Sequence, residues 1–367
     1  MIPEPYKTRL RNLKADLKEK KLQGLLVSRT IHIRYLTGFR GDDSWVLVTP
    51  SKTFILSDFR YAEEIQQGFP WAPLATREKG ESVFALISRL SKKEGVRNLG
   101  FESREISFDF YVGLKGSLKP GMRLFPTAGL IEKQRIIKTP GEIRVLEKAC
   151  WITDQVVGKM LRHARIGLPE ADLRRYAEDQ IKTLGGEGPS FDLIIACGSK
   201  TSRPHALTDK NKLKSGTMLM FDMGSKVEGY HSDLTRTFFT GSISARFQQV
   251  YDAVLEAQQA AKAVVRPGIP VGDVDRAARQ VLERRGLAQY FGHSTGHGVG
   301  LEIHEAPTVY HTNKELVREN MVFTIEPGVY LPGWGGIRIE DIVKVTKTGC
   351  VEITKYPKDK IKVNLAR

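Results

Sequence analysis

Cysteine is scarce in this chain. Its three residues, Cys150, Cys197 and Cys350, are odd in number, far apart and form no CxxC pair. That pattern argues against a disulfide scaffold and suits reduced thiols in a cytoplasm, the expected location. No apolar run approaches the ~20 residues needed to span a bilayer, so no membrane association is expected. The opening Met-Ile-Pro-Glu-Pro-Tyr-Lys has no basic segment leading into a long apolar one, so no secretory signal is expected. Long runs of one charge are missing too, although the net charge is +15. Lys and Arg are interleaved with Glu and Asp, as in Lys18-Glu19-Lys20-Lys21, and no aromatic residues alternate with them as in an RNA-binding sheet. The basic balance therefore reads as a solvated surface, with some attraction for anionic substrates such as peptide carboxylates, rather than as a nucleic-acid interface.

What remains is an ordinary globular composition, 41% hydrophobic and 27% charged, over 367 residues, enough for two domains each with its own core. Residues 8–21 are charged and periodic, and Leu22 to Ser28 reads as a short buried strand. Trp45 to Thr49 and Thr53 to Ser57 form a hairpin-like pair, Ser82 to Leu90 a helix, and Asn98 to Glu102 another strand. This alternation predicts an α/β domain over 1–131. Turn-rich sequence then leads to Thr139-Pro140, a helix start. Ile143, Leu146, Cys150, Thr153, Val157 and Met160 mark one face of a long helix. Helical stretches follow at Leu173 to Leu184, Phe247 to Val264 and Val274 to Arg285. Strand-like segments run at Phe191 to Ala196, Thr217 to Met223, Leu234 to Phe239, Met321 to Ile325 and Ile337 to Thr346. The helix-pair-then-hairpin pattern occurs twice in this α+β part, 132–367.

Four acids sit inside or at the ends of apolar strands: Asp222, Asp233, Glu326 and Glu340. Asp222 and Asp233 flank Gly224 to Gly229, and Glu326 and Glu340 flank Pro327-Gly328 and Gly333 to Gly336. Two hairpins would thus each deliver two carboxylates. Burying them together is very costly unless the charge is cancelled, and two divalent cations would balance it. Of eight histidines, His293, His297 and His304 fall in the Gly-rich segment Gly292 to Glu305, whose glycines permit close backbone approach. His205 is a further candidate, while His32, His163, His231 and His311 read as structural. Oxygen-rich ligation with one imidazole favours Mn²⁺, with Co²⁺, Fe²⁺ or Zn²⁺ as alternatives. Two tempting motifs fail: His304-Glu305 begins an HExxH pattern but position 308 is threonine, and Gly296 to Gly300 lacks the spacing of a nucleotide loop.

Phe221-Asp-Met-Gly224, Ser232-Asp-Leu-Thr-Arg-Thr237, Ser294 to Gly300, Thr324-Ile-Glu-Pro-Gly328 and Arg338-Ile-Glu-Asp341 resemble, in order and with compatible gaps, the signatures of the pita-bread metallopeptidases. The likeness is to the proline-specific branch, aminopeptidase P and prolidase. Arg34 to Phe39 and Asp58 to Tyr61 are similar to the creatinase-type N-terminal domain. The resemblance implies a creatinase-like domain over 1–131 and a pita-bread domain over 132–367, assembled as a homodimer. It implies metal ligands at Asp222, Asp233, His297, Glu326 and Glu340, with Asp233 and Glu340 bridging two ions. His205, His293, His304 and Arg338 would surround them. The implied activity is hydrolysis of Xaa-Pro bonds in peptides or dipeptides. His304 would donate to the developing oxyanion, Glu326 would carry a proton to the leaving nitrogen, and His293 and His205 would position the proline. A metal-free binding module and a creatinase-type amidinohydrolase share the fold. The complete ligand set argues against both. Methionine aminopeptidases share the five ligands but lack the N-terminal domain.

Overall fold

The computed structural model describes residues 1–359 and 361–366. The chain packs as two compact units, Met1–Gln134 and Arg135–Arg367, dividing three residues beyond the expected 131/132 boundary. In the first unit, six strands form one sheet: β1 (Gly24–Val27), β2 (Trp45–Val48), β3 (Thr53–Leu56), β4 (Leu74–Ala75), β5 (Asn98–Glu102) and β6 (Arg123–Thr127). Their order is β4-β3-β2-β1-β5-β6, and only β2 runs against its neighbours. Every residue of β1 is buried, which is why it reads as an unbroken apolar run rather than an alternation. Helices α1 (Tyr6–Glu19), α2 (Thr30–Thr37), α3 (Ala62–Gly68), α4 (Val83–Lys93) and α5 (Phe108–Gly116) complete the unit. Leu86, Ile87 and Leu90 of α4 pack with Leu26, Leu47 and Leu99 of the sheet. Ser82 starts α4 by accepting a hydrogen bond from the Ala85 amide.

A one-turn helix α6 (Glu132–Arg135) precedes the long α7 (Pro140–His163). Thr139 and Glu142 close a capping box at the start of α7, with proline just inside, and the six residues of the predicted face are all buried. Helix α8 (Glu170–Thr183) packs on α7, and α9 (Ala245–Val264) on α10 (Val271–Arg284), so the helix pair recurs.

Strands β7 (Gly188–Pro189), β8 (Ile194–Cys197), β9 (Thr217–Met223), β10 (Ser225–Val227), β11 (Tyr230–His231) and β12 (Leu234–Thr240) follow the first pair. After the second come β13 (Gly296–Gly298), β14 (Glu305–Val309), β15 (Val322–Ile325), β16 (Gly328–Leu331), β17 (Gly335–Arg338), β18 (Asp341–Val345) and β19 (Cys350–Glu352). Among the described residues, no helix is long and apolar enough to cross a membrane.

One element departs from expectation in a way that bears on the site. The predicted strand 337–346 is two strands, β17 and β18, broken at Ile339-Glu340. At the break the Glu340 amide leaves its hairpin and donates to Thr235 O, 3.1 Å away. The Glu326 amide likewise donates to Thr295 O at 2.7 Å. Both predicted carboxylates therefore stand where a hairpin is interrupted, Glu340 tied to β12 and Glu326 to the residue that precedes β13.

Candidate metal centre

Strand pairing puts the acids together. In the β9–β12 ladder Asp222 faces Thr235, so Asp233, two residues before Thr235, shares its face of the sheet. In the second hairpin Ile325 faces Asp341 and Gly328 faces Arg338, which sets Glu326 opposite Glu340 at the break. His297 sits at the middle of β13, squeezed between glycines. A Cβ on Gly296 would lie 1.9 Å from Thr324 O, and one on Gly298 2.1 Å from Ala306 O. The glycines read from the sequence are thus needed for the approach of β13 to its neighbours.

All five predicted ligand residues line one cavity of about 640 Å³, together with His205, His293, His304 and Arg338. One donor atom each of Asp233, His297 and Glu340 lies within 4.8 Å of the others. His297 Nε2 is 3.3 Å from Glu326 Oε1 and 3.6 Å from Asp233 Oδ2. The four histidines left as structural, His32, His163, His231 and His311, are absent from the lining.

The electrostatics call for a cation. Asp233 and Glu340 are 4% and 2% exposed, yet Asp233 Oδ1 and Glu340 Oε1 have no hydrogen-bond partner. Burial, with Glu340, Asp222 and Glu326 close by, pushes the Asp233 carboxyl well above the ordinary range. Burial and the charges of Glu326 and Asp222 do the same to Glu340. Glu326 is raised chiefly by burial, against the pull of His293 and Arg338. Burial holds His297 below its usual value, toward the neutral ring. Its Nδ1 lies 3.0 Å from Gly298 O, so Nδ1 carries the proton and Nε2 presents a lone pair to two carboxylate oxygens. Three acceptors facing one another satisfy nobody. A divalent cation between them would satisfy all three, so the donor set fits divalent metal.

Around this centre runs a hydrogen-bonded frame, part of which sequence reasoning missed. Arg338 Nη2 donates to Asp222 Oδ2 at 2.5 Å, its Nη1 to Tyr330 Oη at 2.8 Å, and its Nε to Thr235 Oγ1 at 2.9 Å. Thr235 Oγ1 in turn donates to Glu340 Oε2 at 2.7 Å. Tyr330 Oη is 2.9 Å from His293 Nε2, and Thr324 Oγ1 donates to Glu326 Oε1 at 3.1 Å. Thr235, Thr324 and Tyr330 carry no local signal beyond their proximity to the acidic motifs. Arg338 was expected, but its guanidinium is committed to this frame and to Pro204 O. His304 packs edge-on against the His297 ring, centroids 4.2 Å apart, and burial with that neighbour lowers its pKa.

The model of metallopeptidase family M24 matches residues 144–347, more than half of the chain. The chain belongs to metallopeptidase family M24. The Creatinase/Prolidase N-terminal domain model matches residues 9–137, so the M24 pita-bread catalytic domain follows a creatinase-type domain. The chain is 33% identical over 346 residues to a Xaa-Pro dipeptidase of Pyrococcus horikoshii, covering 94% of this chain and 95% of that protein. Its structure is similar to that of a Xaa-Pro dipeptidase from Bacillus anthracis, with TM-score 0.94, 32% identity, and 98% and 100% of the two chains covered. It also resembles an X-Pro aminopeptidase from Thermotoga maritima, with TM-score 0.86, 28% identity, and 94% and 98% covered. As an M24 member the chain is a metallopeptidase that uses divalent metal ions.

Proposed function

We propose that this metallopeptidase is an exopeptidase that hydrolyses Xaa-Pro bonds in dipeptides or short peptides. The observation that carries the reading is the cavity in which four carboxylates and an unprotonated imidazole nitrogen converge, two of the buried carboxylate oxygens lacking any partner. The relatives named for Xaa-Pro hydrolysis match nearly the full length of the chain. Asp222 and Asp233 would hold one divalent ion, and His297 and Glu326 the other, with Asp233 and Glu340 shared. Mn²⁺ suits the oxygen-rich set best. When bound, the pair supplies a Lewis acid for the scissile carbonyl and lowers the pKa of water from 15.7 to about 7.

The chain's own residues supply positioning and proton transfer. His304, whose pKa burial and the neighbouring His297 lower, donates an N–H to the carbonyl oxygen as it gains charge. Glu326 takes a proton from the attacking water and gives it to the proline nitrogen as the C–N bond breaks. That delivery matters because a proline nitrogen in a peptide bond has no hydrogen of its own. His293, held by Tyr330, and His205 border the same cavity and would orient the proline ring. Hydrolysis of Xaa-Pro and Xaa-Pro-Yaa under a panel of divalent ions tests the reading. Cleavage dependent on Mn²⁺ or Co²⁺, lost together with metal binding in Asp233→Asn and Glu340→Gln, is expected. Absence of both bound metal and cleavage in the unsubstituted protein would overturn it.

A further inference from the structure

Most charged side chains around the cavity already have partners. Arg338 spends its guanidinium on Asp222, Tyr330, Thr235 and Pro204 and is 3% exposed. It has little left for a substrate. The other guanidinium in the cavity wall belongs to Arg174, on the second turn of α8. Its Nε donates to Glu178 Oε1 at 3.0 Å, one turn further along, and its side chain is 34% exposed. Among the described residues its two terminal nitrogens make no hydrogen bond, and Glu178 is its one ion-pair partner.

Three features make this side chain more than a solvated charge. Glu178 holds the fork from one side, so less rotamer freedom is lost when the open side takes a ligand. The neighbouring wall is apolar, made by Phe191, Leu193, Ile194 and Leu207. Asp192, the acid on this part of the rim, makes no ion pair with Arg174, so it does not consume the charge. Planar guanidinium nitrogens beside an apolar wall suit a carboxylate, which they meet with two parallel hydrogen bonds.

We infer that Arg174 is a specificity-determining residue that receives a carboxylate of the substrate. The inference rests on the Xaa-Pro reading. The carboxylate has two sources in such a substrate, the free C-terminus of a dipeptide or an acidic side chain on the residue before proline.

The test uses the metal-loaded, full-length protein and its Arg174→Gln and Arg174→Lys variants with Glu-Pro, Gln-Pro, Leu-Pro and Leu-Pro amide. For the amide, a Ki replaces KM if it binds without being cut. If the acidic side chain is the ligand, R174Q raises KM for Glu-Pro about tenfold and leaves Gln-Pro and Leu-Pro within about twofold. If the C-terminus is the ligand, KM rises for all three dipeptides, and binding of the amide is unchanged. In either case R174K recovers part of the loss, because the charge remains while the fork is gone. Equal effects on all four compounds, or none, overturn the inference while leaving Xaa-Pro hydrolysis standing. Failure of the unsubstituted protein to cut any of them removes the parent reading and this inference with it.

Discussion

Thr235→Val tests the frame around the centre most directly, because valine keeps the shape of threonine and removes only the hydroxyl. That hydroxyl is fully buried and works twice, accepting from Arg338 Nε at 2.9 Å and donating to Glu340 Oε2 at 2.7 Å. Hydrogen bonds to charged groups are worth about 1.5–3 kcal/mol each, and their loss here leaves both charged partners buried without replacement. Their coupling through Arg338 makes the two losses less than additive, so a net destabilisation of about 2–4 kcal/mol is expected. The second consequence concerns metal. Glu340 would lose the contact that fixes one oxygen and leaves Oε1 open toward the cavity. Groups that orient ligands in this way typically contribute a factor of about 10–100 in metal affinity. Urea denaturation with and without metal measures the first effect, and a chelator competition titration the second. Thr235→Ser keeps the hydroxyl and is expected to retain metal affinity within about threefold. A T235V protein with wild-type chelator midpoint and stability within about 0.5 kcal/mol would refute the reasoning.

Three further outcomes follow from the same structure. Saturating divalent metal is expected to stabilise the wild-type protein, by about 2.7 kcal/mol at a hundred times Kd, and to leave Asp233→Asn and Glu340→Gln unmoved; thermal unfolding against metal concentration measures it. Gly296→Ala would place a Cβ 1.9 Å from Thr324 O, forcing β13 away from β15; a stability loss above about 3 kcal/mol in urea, with weakened metal binding, is expected. Burial raises the carboxyl of Asp154 to about 6, against the hydrogen bonds it accepts from the Lys355 and Tyr356 amides. A carboxyl raised in the fold contributes stability that is full below its unfolded pKa near 3.8 and is lost as pH rises through about 6. Relative to Asp154→Asn, whatever the offset between the two proteins, the wild type should therefore gain roughly 1 kcal/mol from pH 7 to pH 5 in denaturant titrations.

The parts of this molecule that could be read from the sequence share a physical trait: each leaves a local pattern. The face of α7 repeats every three to four residues, and Thr139-Pro140 announces its start, so its six buried positions were legible before any tertiary contact was known. Asp222, Asp233, Glu326 and Glu340 were legible because a charge in an apolar strand is an anomaly that needs a cause. What escaped lacks either trait. Threonine is at home in a strand, so Thr235 and Thr324 announce nothing; Thr235 reaches Glu340 because β12 lies beside the β17–β18 break, and Thr324, besides donating to Glu326 two residues on, accepts from the His297 amide because β13 lies beside β15. Tyr330 reaches His293 across 37 positions of chain and reads locally as one more aromatic in a strand. Arg174 is a third case, a charge on the half-buried helix α8, where only the cavity it lines gives the position meaning.

The break at Ile339-Glu340 shows the same principle working in reverse. Hydropathy over Ile337 to Thr346 predicts one strand, and local propensity has no reason to stop it. The interruption comes from the Glu340 amide finding Thr235 O, a non-local bond that the other hairpin makes available. A continuous strand would keep Glu340 on its own ladder and carry its carboxylate past the other three. The irregularity that defeats local prediction is thus the one that brings the acids together, and it is held by Arg236, whose Nη1 donates to both Glu340 O at 2.5 Å and Thr235 O at 3.0 Å. Arg236 is itself pinned by Asp341 at 2.6 Å, the residue next to Glu340, in a pocket that solvent does not reach. The acid that ends the break and the acid that faces the cavity are neighbours in sequence, one compensated by arginine and the other left for metal.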